Sequence, residues 1–64
     1  MRNNRGLTVQ DRINESFDIA RELNGQDRKA FALRAISVAD FALEFGLITL
    51  EEWEQHLSDY LDII

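Results

Sequence analysis

The chain has 64 residues, no Cys, no Pro and a single His, and its 12 acidic against 7 basic side chains give a formal net charge of −5. This length holds one domain, 1–64, whose own core is small, and the composition excludes disulfides and leaves a structural zinc site without ligands. Close helix packing, self-association or a partner remain as supplements to the core.

Residues 1–6 carry Arg2 and Arg5 and no apolar anchor beyond the initiator, so a flexible start is expected; a basic arm gripping an acidic partner is the sharper alternative. The segment that follows holds no apolar run long enough for a signal region or a membrane span, so a cytoplasmic protein that does not enter a membrane is expected.

The first helix is predicted over about 8–24. Thr8 is placed to cap it, and Asp11 puts a carboxylate at the positive end of the helix dipole. Val9, Ile13, Phe17, Ile19, Ala20 and Leu23 share one arc at 100° per residue, opposite Asp11, Asn14, Glu15, Asp18, Arg21 and Glu22. Asn24 and Gly25 are predicted to stop it, since Gly adopts the left-handed conformation that a helix end requires.

The second helix is predicted over 27–45, with Asp27 as its cap and Gly46 as its stop. The short connection makes the first two helices antiparallel neighbours. The third is predicted over 49–63: Thr49 and Glu52 form a capping box, with Ile48 and Trp53 as the flanking hydrophobic staple. Leu50, Trp53, Leu57, Tyr60, Leu61 and Ile64 line one face of it, and Glu51, Glu54, Gln55, Ser58, Asp59 and Asp62 largely face water. With no alternating apolar run and no hairpin signal, the fold class is all-α, a three-helix domain assembling as a dimeric bundle.

The second helix departs from the amphipathic pattern. Its apolar residues, from Phe31 to Phe45, occupy nearly the whole circumference, with Arg34, Ser37, Asp40 and Glu44 interleaved. A helix apolar nearly all round is a buried helix, and two flanking helices cannot wrap a third. Ala32, Ala35, Ala39 and Ala42 recur at helical spacing and permit close approach of another helix. A twofold interface between two copies of this helix is therefore expected, with Leu33, Ile36, Ala39, Phe41 and Leu43 as the self-association residues.

Charge is divided along the chain. Through Arg34, seven bases outweigh five carboxylates; beyond it stand Asp40, Glu44, Glu51, Glu52, Glu54, Asp59 and Asp62 with no Lys or Arg. Such a half repels phosphates, so direct nucleic-acid binding is not expected despite the helix-turn-helix skeleton. A basic protein partner is favoured, with Glu51, Glu54, Asp59, Asp62 and Trp53 as the partner-binding residues; the plainer reading is a solvated acidic face.

No catalytic, cofactor or metal residues are assigned. His56 follows Glu52 by one turn, but a lone acid/base pair without a nucleophile or second ligand supports no chemistry, and the residue three before His56 is Trp53 rather than the Glu a di-iron bundle requires. His56 is expected at the border of the apolar face, beside Trp53 or Tyr60.

The stretch 43–64, LEFGLITLEEWEQHLSDYLDII, resembles the short helical hairpin known as SHOCT in Gly46, Leu47, Ile48, Thr49, Glu51, Glu52, Trp53, Leu57 and Leu61; His56 stands where that family tends to have Lys. The resemblance covers about a third of the chain and implies a module for oligomerisation or protein interaction. The combined expectation is a non-enzymatic, homodimeric regulator, adaptor or inhibitor, of the kind bacteria and their mobile elements encode in short reading frames. The alternatives are an acidic nucleic-acid mimic that blocks a DNA- or RNA-handling enzyme, and a structural subunit of a larger assembly.

Overall fold

The computed structural model describes residues 8–64 as three α-helices: α1 Val9–Glu22, α2 Gly25–Glu44 and α3 Leu50–Ile63. The segment 1–6 with Arg2 and Arg5 lies outside the described residues. No strand occurs among the described residues, in agreement with the all-α, three-helix prediction.

Local chemistry sets the helix ends. Thr8 accepts the Asp11 backbone N–H at 3.2 Å while the Asp11 carboxylate accepts the Thr8 N–H at 2.9 Å. Thr49 and Glu52 repeat the arrangement at 3.1 and 2.8 Å. Each box satisfies two amide donors that a helix start leaves free. Gly46 ends α2 at φ +73°, where its N–H reaches the Leu43 carbonyl at 3.1 Å and the Leu47 N–H reaches the Ala42 carbonyl at 2.8 Å. These two bonds are the Schellman pair that satisfies carbonyls at a helix terminus.

The first junction lies two residues earlier than predicted. α1 stops at Glu22, an extended Leu23 and Asn24 follow, and Gly25 at φ +58° already opens α2. Asp27, expected as the cap, lies within the first turn of α2 instead, where its carboxylate faces the positive end of the dipole.

The helices form a slab measuring 33 × 30 × 14 Å, with α2 packed against both neighbours. Ile13, Phe17 and Ala20 of α1 meet Ala32, Ala35, Ile36, Ala39 and Ala42 of α2 in one core that Ile48 and Ile63 complete. Half of these buried apolar residues are alanines. The alanine stripe expected to seat a second copy therefore seats the chain's own helices, because only small side chains let helices pack this closely on one side of α2. On α2 the buried side is thus nearly all alanine, and most of its larger apolar side chains, Leu33, Val38, Phe41 and Phe45, are exposed.

Candidate interaction surface

The buried face of α2 spans an arc of about 140° on the helical wheel, from Phe31 to Ile36. The rest of its circumference is open. Along an arc of about 100° lie Ser37, Phe41, Arg34, Phe45 and Val38, all exposed. Phe41 and Phe45 are 62% and 65% exposed, one turn apart and edge to face, with ring centroids 4.8 Å from each other. The Arg34 guanidinium sits 5.8 Å from the centroid of the half-buried Phe31 ring. Ala30 continues the arc toward the start of α2.

The five residues expected to mediate self-association do not form one face. Ile36 and Ala39 belong to the internal core, Leu43 is half-buried against it, and Phe41 alone lies on the open outer arc. Leu33 is exposed, but it shares an edge of α2 with Asp40 and Glu44. The physical reason is the alanine stripe: Ala39 is part of it, and where the small residues bring α1 and α3 in, neighbouring Ile36 is covered as well. Val38 and Phe45, one turn either side of Phe41, complete the outer patch; neither was among the expected self-association residues, although their spacing from Phe41 places them on its face.

α3 is turned differently from the prediction. Its inward side is carried by His56 and Ile63, with Trp53 and Tyr60 half-buried beside them. Leu50, Leu61 and Ile64, expected to face the core, are exposed, and Leu57 is half-buried. The apolar arc of α3 is wider than its two neighbours cover, and contacts from α1 decide which part is enclosed. Phe17 stacks on His56 at a centroid separation of 6.1 Å, Gln10 bonds the same imidazole, and Arg21 approaches Asp59 at 4.0 Å.

Among the expected partner-binding residues, Glu51, Glu54 and Asp62 are exposed. Asp59 is half-buried and partnered by Arg21, with Gln55 donating to it at 3.4 Å. Trp53 is half-buried, and its indole N–H donates to Asp40 Oδ1 at 2.5 Å. It is engaged within the chain and ties α3 to α2.

His56, expected at the border, is 2% exposed. Its Nε2 pairs with the side-chain oxygen of Gln10; an oxygen acceptor requires the proton on Nε2. Nδ1 is buried without a hydrogen-bond partner. Burial lowers the imidazole pKa below its ordinary value, and the nearby Asp59 and Glu52 carboxylates pull in the opposite direction. The neutral ring is a piece of the core, and its bond to Gln10 takes the place of the Glu52 pairing.

Among the described residues, no three His, Asp or Glu side chains are grouped to hold a metal ion, and no helix is long and apolar enough to cross a membrane. Comparison of the chain with protein-family models, with curated proteins and with solved structures finds no match.

Proposed function

We propose that this chain is a non-enzymatic protein interaction module that forms a homodimer through the outer arc of α2 and acts as a regulator or adaptor by binding another protein. One observation carries the reading: four of the five buried residues of α2 are alanines, while its large side chains Phe41, Phe45 and Val38 are exposed together on the opposite face. Large apolar side chains exposed on one helix face are what burial disfavours in an isolated domain. The resemblance of residues 43–64 to an interaction hairpin agrees with this role.

A second copy fits the α2 arc antiparallel. Of the charged residues of α2, only Arg34 and Asp27 lie on this arc; Arg28 is half-buried on the core side, and Lys29, Asp40 and Glu44 lie on the other edge. Parallel pairing sets Arg34 beside its own counterpart, and antiparallel pairing separates the two. With a twofold axis between Ser37 and Val38, Arg34 meets Phe41 of the second copy and Ala30 meets its Phe45. The first contact is a cation against an aromatic face and the second a small residue receiving a large one.

The magnitude is modest. Each exposed side chain is already partly shielded, so pairing recovers roughly half of the ~1.5–3 kcal/mol of full burial. Three such side chains from each copy offset the ~4–15 kcal/mol cost of association with little to spare. The dimer is reversible and concentration-dependent.

The absence of Cys provides a direct test. Under mild oxidation Ser37→Cys copies are expected to link into a disulfide dimer, while Ser58→Cys, placed on the outer side of α3, stays unlinked. Equal linking of both variants overturns the proposed axis.

A further inference from the structure

The molecule has a second unpartnered apolar strip, and its electrostatics differ from those of the first. Leu50, Leu57, Leu61 and Ile64 follow one another along α3 at seven-, four- and three-residue steps, which places them in a line within an arc of about 60°. Three of the four are exposed, Leu61 by 60%. Glu54 borders this line directly, and Glu51 and Asp62 lie further round the same side.

The Trp53–Asp40 hydrogen bond shows which edge of α2 faces α3. Exposed Leu33 and Glu44 share that edge with Asp40. The strip therefore has Leu33 on the facing edge of α2, and its α3 side carries carboxylates and no Lys or Arg; the α2 edge carries Asp40 and Glu44, with Lys29 one turn before Leu33. Two copies pairing α3 on α3 would set the Glu54, Glu51 and Asp62 side of each against its like. The α2 arc, by contrast, carries both signs.

We infer that the Leu50–Leu57–Leu61–Ile64 channel is the docking groove for a basic amphipathic α-helix of another protein. This rests on the reading of the chain as an interaction module and not on its self-association. An α-helix with an apolar stripe of i, i+3, i+4 and i+7 spacing matches the leucine line. Lys or Arg on the flanks of that stripe meet Glu54, Glu51 and Asp62 on one bank and Glu44 on the other. The leucines also separate this groove from a phosphate mimic, whose partner has no use for apolar contact between the charges.

The test uses the full chain and a synthetic helix of about 18 residues, with Leu on one face and Lys on its flanks. A peptide of identical composition and scrambled order is the control, and Trp53 fluorescence reports binding. Saturable binding of the patterned peptide is expected, weakened by added salt but not abolished. Leu50→Ala with Leu61→Ala is expected to weaken it about tenfold or more, and Glu54→Lys several-fold; all three positions are exposed, and circular dichroism confirms that the variants fold. Phe41→Asp is expected to leave peptide binding unchanged. Equal binding of the scrambled peptide, or of the doubly substituted chain, overturns the inference, as does loss of binding in Phe41→Asp. A monomeric chain that still binds the patterned peptide overturns only the α2 interface, so the two proposals fail separately.

Discussion

The Trp53 indole N–H donates to the Asp40 carboxylate at 2.5 Å, joining the first turn of α3 to the edge of α2. The bond fixes how α3 is rotated. With Trp53 held toward α2 and His56 toward α1, the remaining apolar side of α3 is left facing outward. Trp53→Phe keeps most of the packing area and removes the donor. The expected cost is about 1 kcal/mol, the net value of one hydrogen bond, read as a lower urea midpoint by circular dichroism. An unchanged midpoint means that packing alone orients α3.

The alanine stripe allows no growth. Ala39 is fully buried between the helices, so Ala39→Leu is expected to force them apart at a cost of about 1–3 kcal/mol. In a domain of this size that lowers Tm by about 4–8 °C per kcal/mol. Asn14→Leu, on the exposed side of α1, is expected to leave Tm within a degree or two of the parent. If both variants melt alike, the stripe is not the contact that sets helix spacing.

Much of this architecture was legible in the sequence because it is local. Thr8 with Asp11, Thr49 with Glu52, and Gly46 each act within one helical turn, and all three appear where their spacing places them. The surplus of apolar circumference on α2 was equally visible, since periodicity reveals how much of a helix is apolar. It does not reveal which part the neighbours choose. Ala32, Ala35, Ala39 and Ala42 read as a docking seam, and they are one, but for α1 and α3. His56 gave no sequence signal for burial, because its enclosure depends on Gln10 and Phe17, which lie more than one helix away in the chain.

His56 imposes a pH dependence of definite sign. Its folded-state pKa lies below the unfolded value of about 6.5, so between those two values the unfolded chain binds more protons than the folded one. Stability is therefore full above about pH 6.5 and falls as pH drops through the folded-state value. His56 is the only imidazole in the chain. Urea midpoints measured from pH 7.5 to pH 5 are expected to decline, and the decline over this window is expected to vanish in His56→Leu. A slope that persists in His56→Leu assigns the effect to other groups.

The central claim is that the outer arc of α2 holds two copies together, and sedimentation equilibrium over a micromolar concentration range tests it most directly. The parent chain is expected to move reversibly from one toward two chain masses as concentration rises, while Phe41→Asp with Phe45→Asp stays at one chain mass and keeps its helical circular dichroism. A parent chain that remains at one mass throughout, or a doubly substituted chain that still pairs, contradicts it.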